Sequence, residues 1–107
     1  MEQRIFPKIN INNESEKEIG NLVFTYENCK YPGGVRRVKK KSIKNVEIAN
    51  KHIDFTTQLI MVHRDKEGHK QKYMIEENFD KEYNKEINLN IFDVSDFGEI
   101  EFNVVKS

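Results

Sequence analysis

The sequence predicts an all-β fold, an antiparallel β-sandwich of seven or eight strands, immunoglobulin-like in the loose architectural sense. Three observations carry that expectation. The apolar set holds 12 Ile and 8 Val against 3 Leu and one Ala, a bias toward β-branched side chains that pack well on a pleated surface. Apolar and polar residues alternate with period 2 from end to end. Turn clusters separate these runs at a spacing of roughly 8–12 residues, as in sandwiches and barrels. The 107 residues leave room for one domain, 1–107, because autonomous domains typically run about 100–200 residues. The core must be thin, yet Ile, Val, Leu and Phe number 30 and net charge is zero, a composition that folds.

The elements follow in order. Ile5, Ile9 and Ile11 share a face of a first strand near Arg4–Asn12 with Pro7 in the same row; Pro donates no ladder hydrogen bond, so an edge or kinked strand is expected. Ser15 and Glu18 have capping-box spacing, but no helical apolar stripe follows, so the polar stretch reads as a turn. Gly20–Tyr26 places Leu22, Phe24 and Tyr26 on one face of a core strand, and Tyr31-Pro32-Gly33-Gly34 reads as the next turn, with Gly supplying positive φ. Val35–Val38 and Ile43–Ala49 are modest strands, with Val46 and Ile48 facing in. Phe55–Arg64 is apolar on both faces, Phe55, Leu59 and Met61 against Ile60 and Val62, which predicts a central strand covered on both sides. Asp65–Gly68 fits a hairpin turn leading into His69–Glu76, where Tyr73 and Ile75 face in. In Glu77–Lys85 the period breaks, and Phe79 and Tyr83 would meet on one helical turn. Ile87–Phe92 and Ile100–Val104 close the fold as a hairpin through Ser95–Gly98.

Zero net charge conceals a division. Lys30, Arg36, Arg37, Lys39, Lys40, Lys41 and Lys44 stand in Lys30–Asn45 without one acid. From Glu76 to Glu101 nine acids face only Lys81 and Lys85. Clustered cations raise the local potential toward polyanions, so Arg36, Arg37, Lys39, Lys40, Lys41 and Lys44 are candidate contacts for an acidic partner or a phosphate. The competing reading is protection of an exposed strand edge by Lys and Arg. Glu99 and Glu101 form a candidate acidic face for a basic partner, or the solvated side of a strand.

Other chemistry has thinner support. His63, Asp65 and His69 share a face if the hairpin loop is the three residues Lys66–Gly68, but zinc wants at least three protein ligands. Cys29 has no His near it in sequence to activate it. The sequon Asn13-Glu14-Ser15 reads as a chance match. Signatures for serine hydrolysis, phosphate cradling, dinucleotide binding and zinc proteolysis are missing. No catalytic residue, metal or cofactor is therefore expected. The start Met1–Lys8 lacks a secretory pattern and no apolar run approaches membrane-spanning length, so the expected compartment is cytoplasmic and no membrane contact is expected.

These features favour a non-catalytic protein-binding domain, a small inhibitor, immunity-type or adaptor protein acting through edges, loops and charged faces. A nucleic-acid-binding module using Arg36 to Lys44 is the alternative, and a structural subunit pairing through edge strands is a further one.

Overall fold

The computed structural model describes residues 6–107, and within them eight strands and no helix form. The strands are β1 (Lys8–Asn13), β2 (Ile19–Thr25), β3 (Gly33–Val38), β4 (Ser42–Glu47), β5 (Thr57–Arg64), β6 (Lys70–Phe79), β7 (Ile87–Val94) and β8 (Ile100–Lys106). One sheet has the order β4-β1-β7-β8 and the other β3-β2-β5-β6. The expected two-sheet sandwich is thus observed. Its strands pair antiparallel except β1 and β7, which run parallel. In the immunoglobulin arrangement the first two strands neighbour one another in one sheet; here β1 and β2 lie in opposite sheets.

The alternation explains the core. Ile9 and Ile11 of β1, Leu22 and Phe24 of β2, Leu59 and Met61 of β5, and Ile87, Leu89 and Ile91 of β7 are all fully buried. These four strands are the interior strands of their sheets. Each such side chain taken out of water contributes about 1.5–3 kcal/mol.

Four expectations are corrected. β1 is no edge strand: it lies between β4 and β7, and Pro7 precedes it, its carbonyl accepting from the Ile48 N–H at 2.9 Å. Arg4 and Ile5, assigned to that strand, lie outside the described residues. Gly33 and Gly34 belong to β3 rather than to a turn, and neither has positive φ. The turn is earlier, where the Cys29 N–H reaches the Tyr26 carbonyl at 3.0 Å and Asn28 takes φ 59°. Gly33 is required by crowding instead, since a Cβ there would lie 2.8 Å from side-chain carbons of Val46 and Ile48.

β5 is central, as expected, but covered on one face only. Ile60 and Val62 are half-buried on the outer face beside Val23 and Met74, their cross-strand neighbours. Phe55 precedes the strand and is partly exposed. The helical turn at Glu77–Lys85 is replaced by an extension of β6 to Phe79 and a turn in which the Tyr83 N–H bonds the Asp80 carbonyl at 3.2 Å. Phe79 and Tyr83 do meet, with ring centroids 5.1 Å apart, and both are buried.

The register of β6 against β5 shifts twice, and within the irregular stretch the consecutive residues Ile75 and Glu76 are both buried. A bulge can turn two adjacent side chains to one side in this way. Glu76 accepts from the Tyr83 hydroxyl at 2.9 Å and pairs with Lys106 at 2.8 Å, tying β6 to β8. Burial alone would raise its carboxyl pKa, but bonds from Lys106, Tyr83 and the Asn78 N–H outweigh burial and hold it below the ordinary value of 4.5. A depressed folded-state pKa means that this stability is present above the unfolded value and is lost as pH falls through the folded one. Glu76→Gln should therefore lower stability near neutrality by about 1–3 kcal/mol, and the deficit should shrink as pH falls below the ordinary carboxylate value. Urea unfolding across that range checks this; a deficit independent of pH contradicts it.

Candidate functional site

The seven cations of Lys30–Asn45 fall in and around two strands that are both sheet edges, β3 and β4. These edges pack together on one side of the sandwich. Arg36, Arg37, Lys39, Lys40, Lys41 and Lys44 are all exposed there. The structure thus joins them across two sheets into one basic side, with Lys39–Lys41 forming the crossing.

Part of this charge is answered by acids from the β1–β2 connection. Lys41 pairs with Glu16 at 3.0 Å and donates to the Glu14 carbonyl at 2.7 Å, while Arg37 lies 3.6 Å from Glu18. The hydrogen bond from Lys41, then its charge, holds the Glu16 carboxyl below its usual pKa. Arg36, Lys39, Lys40 and Lys44 have no ion pair among the described residues. Ile43, 63% exposed, stands on β4 between Lys41 and Lys44, while Tyr31, 68% exposed, precedes β3 with its ring against His52.

Asn13 holds this side in place. Its amide, fully buried, donates to the Lys17, Val38 and Lys39 carbonyls at 2.8, 3.2 and 3.2 Å, and its oxygen accepts from the Ser15 N–H and hydroxyl at 3.0 and 2.6 Å. The sequon is therefore structural: in the folded chain the Asn13 nitrogen is spent inside the protein. The turn expected at Ser15 is the loop built on these bonds.

Glu99 and Glu101 are exposed, as a solvated or partner-facing pair would be. Glu99 closes the β7–β8 hairpin through its carbonyl, and Glu101 lies on edge strand β8. The acidic segment does not form one continuous face, because Glu76 is turned inward and Lys106 shares β8.

At the hairpin end, Asp65 N–H to His69 carbonyl at 3.0 Å encloses the loop Lys66–Gly68, with Gly68 at φ 88°. His63, Asp65 and His69 thus meet the condition for sharing a face. His69 Nδ1 contacts Asp65 at 3.0 Å, while buried His63 donates from Nδ1 to the Gly98 carbonyl at 2.9 Å. Burial would raise the Asp65 carboxyl pKa, but bonds from His69 and from the Glu67 N–H bring it below its usual value. His63 also lines a cleft of about 600 Å³ with Lys17, Arg64, Asp65 and Asp96. Among the described residues no three His, Cys, Asp or Glu side chains converge to hold a metal ion.

Folding brings His52 to Tyr26, three residues before Cys29, rather than to the thiol itself. The Tyr26 hydroxyl donates to the Ala49 carbonyl at 2.5 Å, so its oxygen accepts from His52 Nε2 at 3.1 Å. Burial raises the Tyr26 pKa, and the neighbouring Cys29 thiol raises it further. The imidazole is thus bonded to the phenol, and among the described residues it makes no hydrogen bond to the thiol.

Two features escaped sequence reading, the inward Glu76 and a field of asparagines across the outer face of the β4-β1-β7-β8 sheet. The first depends on bulges that leave no period to read. The second had a signal, Asn at alternate positions 10, 12 and 88, 90, but its meaning depends on the β1–β7 pairing. No protein-family model, curated protein or solved structure matches this chain, so the reading of these sites rests on their own geometry.

Proposed function

We propose that the protein is a non-catalytic binding domain that occupies or recruits another protein through its β3/β4 side, as an inhibitor, immunity-type or adaptor protein does. The observation that carries this reading is the set of four cations without ion pairs, Arg36, Lys39, Lys40 and Lys44, standing with exposed Ile43 on two sheet edges. Edge protection accounts for the charges, but it gives no reason for a large aliphatic side chain in water among them. An interface does, since apolar contacts inside a charged rim supply affinity while the charges steer encounter. The partner that fits is a protein surface carrying carboxylates around an apolar pocket. Nucleic acid fits less well, because the segment Lys30–Asn45 that carries the cations holds a single ring, Tyr31, and single strands are held by several stacked bases.

A photo-crosslinking residue placed at position 40 or 44, and at position 72 as control, tests this in the native cell. The expected result is a protein adduct from 40 and 44, unaffected by nuclease and missing from 72. Adducts that disappear on nuclease treatment, or equal adducts from all three positions, overturn it.

A further inference from the structure

The outer face of the β4-β1-β7-β8 sheet carries two rows of amides. Register places Asn45, Asn10 and Asn88 side by side on β4, β1 and β7, and Asn12, Asn90 and Asn103 side by side on β1, β7 and β8. Val105 completes the first row and Ile43 the second. No charged side chain stands in either row, in a chain whose residues are 34% charged. Asn is among the residues depleted in strands, on a scale spanning about 1 kcal/mol, so six at strand positions oppose local propensity.

The amides are oriented before any ligand arrives. Asn10 donates to the Glu86 carboxylate at the margin of the face at 2.5 Å and to Asn88 at 3.1 Å, and in the second row Asn12 donates to Asn90 at 3.4 Å and Asn90 to Asn103 at 3.0 Å. The side-chain oxygens of Asn10 and Asn12 and the nitrogens of Asn88 and Asn103 have no partner among the described residues. Donors and acceptors thus remain available in fixed positions, which lowers the ordering cost of binding. Phe92 follows Asn90 by two residues on β7 and is 45% exposed, an apolar ring beside the rows.

We infer that this face binds a neutral pyranose polysaccharide, its hydroxyls paired with the two asparagine rows and one ring resting on Phe92. Uncharged hydroxyls, each a donor and an acceptor, match uncharged amides. The strand spacing of about 4.8 Å makes each row about 14 Å long, room for a short run of sugars. The field covers on the order of 200 Å², well short of the roughly 800 Å² per partner that a stable protein interface buries, so a second copy is the poorer occupant. An added peptide strand is excluded, because strand addition occurs at sheet edges. The site borders the β3/β4 side along β4, where Ile43 and Asn45 end its rows, but its amides do not depend on the reading of that side.

Affinity electrophoresis of the full chain tests the inference, in gels containing soluble β-1,4-glucan, β-1,3-glucan or α-1,4-glucan, with heparin as a charged counterpart. Retardation by at least one neutral glucan is expected, reduced at least tenfold in apparent affinity by Asn88→Ala/Asn90→Ala and unchanged by Lys40→Glu. Circular dichroism must show the double variant folded; Asn103→Asp, at an exposed edge position, is the milder second variant and should also weaken retardation. The linkage that retards identifies the class of glucan. Retardation by none of the glucans, by heparin alone, or equally in wild type and both variants overturns the inference, as does concentration-dependent dimerisation abolished by the double variant.

Discussion

Phe79→Ala is expected to destabilise the domain by about 3–5 kcal/mol, the range for truncating a buried phenylalanine. Phe79 is fully buried at the end of β6, its ring 5.7 Å from that of Tyr26 and 5.1 Å from that of Tyr83. Truncation opens a cavity between two tyrosines whose hydroxyls are fixed elsewhere, Tyr26 on the Ala49 carbonyl and Tyr83 on Glu76. Neither ring can collapse into the space without breaking its hydrogen bond. Small domains have a total stability of about 5–15 kcal/mol, so this one change removes much of the margin. Phe97→Ala is the matched control: Phe97 is 76% exposed at a hairpin tip, and its loss should stay within about 0.5 kcal/mol. Urea unfolding of both variants checks the pair, and comparable losses would contradict the assignment of the core.

Asn13→Ala should cost about 2–4 kcal/mol, equivalent to a fall in Tm of roughly 10 °C or more in a domain of this size. The Lys39 carbonyl keeps Ser42 Oγ and the Lys17 carbonyl keeps Ser15 Oγ as donors. The Ser15 N–H, in contrast, is left in a nearly closed site without its acceptor, and the Val38 carbonyl loses a side-chain donor. Asn13→Asp separates the two halves of the role. It keeps an acceptor for Ser15 but supplies no donor to three carbonyls, so it should be about as damaging as Ala. A loss below about 1 kcal/mol for both variants would show that the loop does not depend on this side chain.

The legible part of the fold was the part governed by period 2 on the interior strands. Leu22, Phe24 and Tyr26, and Ile87, Leu89 and Ile91, face inward as their spacing requires. Both hairpin loops ending in glycine were equally legible, because Gly68 and Gly98 take φ 88° and 83°, which favour glycine. What could not be read was set by contacts distant in sequence. Gly33 resembles a turn residue until Val46 and Ile48 crowd it. Pro7 looks like an edge marker until β1 is placed between β4 and β7. Glu76 belongs to an acidic run by sequence and to a buried network with Tyr83 and Lys106 by structure. Among the candidate contacts, the sequence identified all six cations but not that β3 and β4 bring them to one side, nor that Glu16 and Glu18 answer two of them.

The most direct test of the β3/β4 side as a binding surface is the association rate of the partner captured by crosslinking, measured with wild type and with the triple variant Arg36→Glu/Lys40→Glu/Lys44→Glu. Electrostatic steering acts on association and weakens with salt. The triple variant should associate at least tenfold more slowly at low ionic strength, the two rates should converge as salt rises, and urea unfolding should show the variant as stable as wild type. An association rate unchanged by reversing all three charges would contradict the reading.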